Sequence, residues 1–269
     1  MTIECAVVHK SVQSEVFVTS VEPLGADLWS CGIAIPRGHW KNRPVPATLP
    51  LIIGAELVRQ TGMAVCALGY DVPADSAFTI QELEFSWIDA PPAFPRFAPI
   101  TSLATVRTSD RTERKGALSA MTLEYEFGDF ATARATTRIL SGKDYGVIRR
   151  HAPAPGAAEP RHDRDILRPF FDPLHGLVGW DERDPFFFDH AVDHVPGMLL
   201  TEVVLRAFTR LRDEQPTGMK MSFERFAELE VGTEYRISEA GSAVAVEFLQ
   251  DGVRVAAGTA DRNPDAGRA

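Results

Sequence analysis

Stretches of two-residue alternation flank two apolar runs along this chain, and that ordering predicts most of its elements. From Glu15 to Ile35 the sequence reads as extended, with Val16, Val18 and Val21 followed by Leu28, Cys31, Ile33 and Ile35 around a Gly25-Ala26-Asp27 turn. A loop rich in proline and basic residues, from Pro36 to Thr48, leads to Pro50. From there to Tyr70 the chain is apolar on nearly every side apart from Glu56, Arg59 and Gln60, which predicts a buried helix. Three extended runs follow. Leu83, Phe85 and Trp87 alternate with Glu82, Glu84 and Ser86, and Met121 to Phe127 alternates with Thr122, Glu124 and Glu126. Thr132, Arg134, Thr136 and Arg138 alternate with alanines, and Gly128-Asp129 joins the last two runs as a tight hairpin.

The order then recurs in shorter form. A proline-rich stretch from His151 to Pro160 has too little apolar content to pack and reads as a linker. Beyond it come a loop ending at His194, a helix from Pro196 to about Arg212, a strand from Met219 to Phe226, and a hairpin at Asp251-Gly252 between Val244-Val246-Phe248 and Val253-Val255. Pro50 stands six residues before Glu56 and Pro196 six before Glu202, so the chain looks duplicated with one carboxylate in each copy. The expected organisation is a first repeat over 1–148, a linker over 149–165, a second repeat over 166–263 and a short tail over 264–269. The class is α+β: two repeats, each a long helix wrapped by an antiparallel sheet, which is the sequence image of a tandem hotdog.

Composition narrows the partners. The 269 residues are 45% hydrophobic and 24% charged, a globular balance large enough for two cores. A net charge of −9 with no long basic cluster argues against nucleic acid, although local arginines such as Arg59 or Arg149-Arg150 can still hold a phosphate. No apolar run is expected to reach the ~18 residues that span a bilayer, and the N-terminus lacks a secretory pattern, so a cytoplasmic protein without a membrane role is expected. Cys5, Cys31 and Cys66 have no metal-ligand spacing and read as reduced thiols, mostly packed.

Several residues could carry chemistry. Glu56 and Glu202 sit about two turns into helices, where burial would raise a carboxyl pKa and suit it to proton transfer; the plain alternative is a glutamate satisfied by an arginine or an amide. His190 and His194 lie four apart, but Val195-Pro196 favours a loop over a helix, so the spacing does not argue for a metal. Either histidine can serve as general base with Asp189 or Asp193 holding its tautomer, or can simply cap the helix entrance. His39 is the corresponding histidine of the first repeat, eleven residues before Pro50, and a solvated loop residue is the competing reading. Pro50 and Pro196 suit the first helical position, and the Gly197 and Met198 amides beyond Pro196 could support a developing oxyanion. Arg59 shares a face with Glu56, and could neutralise it or bind phosphate, with Gln60 beside it as a further substrate contact.

Three strings, VHKSVQSEVFVT (Val8 to Thr19), PLIIGAELVRQTGM (Pro50 to Met63) and DPFFFDHAVDHVPGMLLTE (Asp184 to Glu202), together resemble the A-factor biosynthesis hotdog proteins. That resemblance implies an acyltransferase of gamma-butyrolactone signal synthesis. It would join a β-ketoacyl group from an acyl carrier protein to the hydroxyl of dihydroxyacetone phosphate, with no metal or redox cofactor. Hotdog dehydratases, similar to the second repeat at its Pro-Gly-x4-Glu helix start, pair such a glutamate with a histidine from the facing subunit, here expected to be the other repeat. The family pattern places Arg and Gln three and four after the second glutamate, whereas this chain has Leu205 and Arg206. The alternatives are a hotdog hydratase, dehydratase or thioesterase, which needs no phosphate site, and a noncatalytic binding protein.

Overall fold

The computed structural model describes residues 3–39, 41, 48–152 and 174–262. The proposed linker and tail therefore lie almost wholly outside the described residues, as does most of the Pro36–Thr48 loop. The chain divides between Arg150 and His151 into two compact units.

In the first unit, two short 3-10 turns, Cys5–Val8 and Gln13–Glu15, precede β1 (Val18–Gly25) and β2 (Leu28–Ile35). Then come α1 (Leu51–Gly69), β3 (Ala77–Trp87), β4 (Ile100–Arg114), β5 (Ala117–Phe127), β6 (Ala131–Leu140) and a short α2 (Gly142–Ile148). The strands are antiparallel in the order β1-β2-β4-β5-β6-β3. Pro23 lacks an amide hydrogen and sits in the edge strand β1, where a missing donor costs least.

Alternation holds where the sequence predicts it: Leu83, Phe85 and Trp87 of β3 and Met121, Leu123, Tyr125 and Phe127 of β5 are all buried. Their rings form one cluster, with Phe85 edge-on to Trp87 at 4.7 Å and Tyr125 stacked on Phe127 at 5.8 Å. Helix α1 crosses this face, and two of its glycines let it come close. Gly54 lies under the Phe85 ring, and a Cβ at Gly62 would fall 2.6 Å from the Tyr125 hydroxyl.

One expectation about this helix is corrected. Leu51–Gly69 is 19 residues long with a mean hydropathy of 1.4, long and apolar enough by composition to cross a membrane. Its window is 83% buried inside the protein, which identifies a core helix rather than a span. A second correction concerns the prolines: Pro50 and Pro196 are N-caps with extended ψ of 142° and 132°, one residue before the first helical position.

The second unit contains β7 (His175–Leu177), α3 (Gly197–Arg212), β8 (Gly218–Phe223), β9 (Glu234–Ala240), β10 (Ala243–Gln250) and β11 (Val253–Asp261). Its strands run antiparallel in the order β8-β11-β10-β9-β7, with α3 packed on β8, β10 and β11. The predicted hairpin stands at Asp251 and Gly252, whose φ values of 51° and 75° need the left-handed region. Strands β4, β7 and β9 and helix α2 are not among the predicted elements. In β4 the core-facing positions include Ala104 and Thr108 while Leu103 is 64% exposed, which inverts the expected polarity.

Candidate functional site

The polar face of α1 is closed by the N-terminal segment. Glu56 is 1% exposed, and its carboxylate accepts from Arg59 Nε at 2.8 Å, Arg59 Nη2 at 2.7 Å and Gln60 Nε2 at 2.8 Å, with Lys10 Nζ at 3.4 Å. Gln60 then ties down the backbone upstream: its Nε2 donates to the Glu15 carbonyl at 2.7 Å and its Oε1 accepts from the Phe17 amide at 2.8 Å. Arg59 Nη2 also donates to the Val8 carbonyl at 3.2 Å, and Nη1 reaches Met63 Sδ at 3.1 Å. Glu56, Arg59 and Gln60 are thus brought together, and Lys10 and Glu15 join them. The two first-unit strings that carry the family resemblance meet at this cluster.

The cluster reverses one expectation. Burial alone would push the Glu56 carboxyl up, but the Arg59 and Lys10 charges and the Arg59 and Gln60 hydrogen bonds outweigh it and lower the pKa from 4.5 to about 2. Glu56 is a fixed carboxylate, not a group poised to exchange protons near neutral pH. Arg59 is correspondingly engaged by Glu56, Val8 and Met63 rather than presented to a phosphate.

His39 is no solvated loop residue. It is 5% exposed, edge-on to Phe17 at 5.2 Å, with Nε2 2.7 Å from Glu15 Oε2. The Lys41 amide donates to Nδ1 at 3.2 Å, so the ring proton that faces Glu15 sits on Nε2. With both nitrogens used, His39 holds the chain in place before Leu49 and α1.

In the second unit, the segment from Asp184 to Val195 is a loop, as the proline at 196 predicts. Buried Phe186, Phe187 and Val195 pin it, the Val195 amide donates to the Ala227 carbonyl at 2.7 Å, and the Phe186 amide donates to Asp184 Oδ1 at 3.0 Å. Between these apolar anchors the two histidines reach the surface, while the Asp189 and Asp193 side chains are largely covered. His190 Nδ1 lies 2.6 Å from Asp189 Oδ1, and His194 Nδ1 lies 2.6 Å from Asp193 Oδ1. A carboxylate only accepts, so in each pair Nδ1 carries the hydrogen, and in the neutral ring Nε2 keeps its lone pair. The His194 side chain is 31% exposed against 51% for His190, and its ring packs edge-on to Phe226 at 4.9 Å.

Pro196 ends this loop, and Gly197 and Met198 supply the first amides of α3, which have no acceptor within the helix. Phe223 lies against Gly197, where an added Cβ would stand 3.0 Å from the ring. Glu202 is buried and accepts from Arg206 Nε at 2.9 Å. The departure at Leu205 and Arg206 is therefore compensated: the arginine comes four residues after the glutamate instead of three. No hydrogen bond joins Glu202 to His194.

A depression of about 330 Å³ on the outer face of the first sheet contains none of these residues. It is crossed by a row of alternating charge, Arg107, Glu124, Arg134 and Glu84, in register on four strands.

Helix-on-sheet units of this kind define hotdog proteins, and comparison with known proteins narrows the class. Residues 1–141 match the A-factor biosynthesis hotdog domain, and the chain belongs to that family. A "2-oxo-3-(phosphooxy)propyl 3-oxoalkanoate synthase" of Streptomyces virginiae is 28% identical over 249 residues, covering 85% of this chain and 84% of its own. A protein of the same name from Streptomyces griseus is 28% identical over 244 residues, covering 82% and 80%. Among solved structures, an acyl-ACP thioesterase from Bacteroides thetaiotaomicron superposes with a TM-score of 0.51 at 11% identity, covering 87% of this chain and 97% of its own. An oleoyl thioesterase from Lactobacillus plantarum gives 0.52 at 13%, covering 90% and 98%. These two share the fold.

Proposed function

We propose that this protein is a cytoplasmic acyltransferase that moves a β-ketoacyl group from an acyl carrier protein thioester to a hydroxyl of dihydroxyacetone phosphate. The observation that carries the reading is the length of the similarity to the synthases: it covers 85% of this chain, more than the first unit alone could supply, so the match takes in both units. The product in the synthases' name is an ester between a 3-oxoalkanoic acid and dihydroxyacetone phosphate. Forming it requires an activated acyl donor and a base for the hydroxyl proton.

His194 is the base that the geometry favours. Asp193 fixes Nδ1–H, so Nε2 faces outward as an acceptor, and the carboxylate stabilises the imidazolium that forms. The hydroxyl oxygen of the triose phosphate attacks the thioester carbonyl carbon as Nε2 takes its proton. The Gly197 and Met198 amides support the resulting oxyanion. Collapse breaks the C–S bond, and the proton passes from His194 to the leaving thiolate, giving ester and free carrier thiol. Glu202, held by Arg206, positions substrate; His190 with Asp189 is the second candidate base. Glu56, Arg59 and Gln60 hold the first unit together rather than touch substrate.

Incubation of purified protein with β-ketoacyl carrier protein, with and without dihydroxyacetone phosphate, tests this by mass spectrometry. The expected product is a phosphorylated β-keto ester that requires the triose phosphate. Acyl loss to water at equal rates with and without it would instead make the protein a thioesterase.

A further inference from the structure

An acceptor that carries a phosphate needs a cation, and Arg59 does not offer one. In the second unit Arg183, Arg206, Arg212, Arg236, Arg254 and Arg262 each face a carboxylate. Among the described residues of that unit, Arg210 and Arg225 are the arginines with no such partner. Arg210 stands thirteen residues beyond Gly197 on α3, about 20 Å along the helix at ~1.5 Å per residue. Arg225 is exposed and lies in the turn after β8.

That turn is anchored beside the candidate base. Phe226, the next residue, packs its ring on His194 at 4.9 Å, and Phe223, two residues before, packs against Gly197. The Glu224 and Arg225 amides both donate to the Val255 carbonyl, at 2.9 and 3.2 Å, which fixes the backbone between the two rings. Consecutive Cα atoms are ~3.8 Å apart, so the Arg225 backbone starts within one residue of the ring that touches His194. The exposed Arg225 side chain thus leaves the backbone one residue from the ring that covers His194 and two from the ring that covers Gly197.

We infer that Arg225 binds the phosphate of the acceptor and sets the preference for a phosphorylated triose over the free sugar. The inference rests on the acyl transfer proposed above. A guanidinium presents two parallel donors to a phosphate, and among the described residues no carboxylate is paired with this one.

The test compares wild type, Arg225→Gln, Arg225→Lys and, as control, Arg210→Gln, with dihydroxyacetone phosphate and dihydroxyacetone as acceptors. One or two charge-assisted hydrogen bonds predict a KM for the phosphate rising about 10–100-fold in R225Q, with kcat little changed, partial recovery in R225K and no effect of R210Q. R225Q should use the two acceptors almost equally. An unchanged preference for the phosphorylated acceptor overturns the inference. Repeating the comparison with an N-acetylcysteamine thioester, which lacks the carrier's phosphodiester, identifies the source: a defect that vanishes with this donor assigns Arg225 to the carrier and overturns the inference. Calorimetric titration with dihydroxyacetone phosphate alone separates the two proposals. Binding that depends on Arg225 without ester formation in wild type leaves the inference standing and removes the acyl transfer; ester formation with binding indifferent to R225Q does the reverse.

Discussion

Glu56→Gln isolates the question of whether the buried glutamate of α1 works as a proton carrier or as a fixed charge. Lowering its pKa from 4.5 to about 2 amounts to roughly 3 kcal/mol of native stability at neutral pH, at ~1.36 kcal/mol per unit. The amide that replaces the carboxylate turns an NH2 toward the donors of Arg59, Gln60 and Lys10, and removes the negative charge opposite the Lys10 ammonium, whose side chain is 4% exposed. Removing one partner of a buried pair costs about 3–5 kcal/mol. At ~2–4 °C per kcal/mol this lowers Tm by roughly 6–20 °C. Because the native pKa is depressed, the gap between wild type and variant in denaturant unfolding should be full above about pH 5 and shrink as pH falls from 4.5 toward 2. Hydrogen exchange at neutral pH should show the loss in α1 and in residues 3–17, which Gln60, Arg59 and Lys10 tie to it. A cost under about 1 kcal/mol, or a gap that shrinks as pH rises through 6–7, refutes the argument. The second outcome has the sign of a carboxyl raised by burial.

Three further expectations follow from particular contacts. His194→Asn should lower ester formation about 10²–10⁴-fold while His190→Asn, on the more exposed pair, changes it far less; equal losses would move the base to both or neither. Burial pushes the Cys31 and Cys66 thiols up to about 12, so a thiol-specific colorimetric reagent at pH 8 should label Cys5 alone in native protein and all three cysteines after unfolding. Gly62→Ala should destabilise by about 1–3 kcal/mol through the Tyr125 hydroxyl, and Tyr125→Phe in the same chain should recover part of the loss; no recovery would place the strain elsewhere.

Much of the fold was legible because its core writes a regular signal. Helix α1 shows as a long apolar run broken only by a few polar residues, β5 and β6 as strict alternation, and both hairpins as Gly-Asp and Asp-Gly pairs whose glycines take positive φ. Strand β4 gives a weaker signal: Ser102, Ala104 and Thr108 share its inner face with Ile100 and Val106, while Leu103 points outward. In β9 only Tyr235 and Ile237 are buried among seven residues, too short a pattern to separate from loop. At the site, the two His–Asp pairs are sequence neighbours and could be read directly. Arg59 could be read as a partner of Glu56 from its place on the same helical face, but Lys10 beside Glu56 and Glu15 beside Gln60 could not, because they lie more than forty residues upstream and follow no period. A hint was present in the helix itself: three polar residues on an otherwise buried α1 had to find partners somewhere in the chain.

The two helices therefore differ in a way that their similar openings conceal. On α1 the carboxylate receives four donors and the arginine beside it is only 19% exposed, an arrangement that fixes chain segments and leaves little to reorganise around a reacting molecule. On α3 the arginine has moved one position along and is 45% exposed, and the helix begins beside a histidine whose outer nitrogen takes no hydrogen bond from the described residues. The residue that breaks the family spacing, Leu205, is buried in the core, so the shift to Arg206 turns the cation toward the surface while keeping its bond to Glu202. A carboxylate that must respond to substrate gains from a mobile, solvated counter-charge, whereas one that holds a fold gains from a buried one. The strings shared with the family in the first unit thus encode a clamp, and those in the second present the residues to which we assign the chemistry.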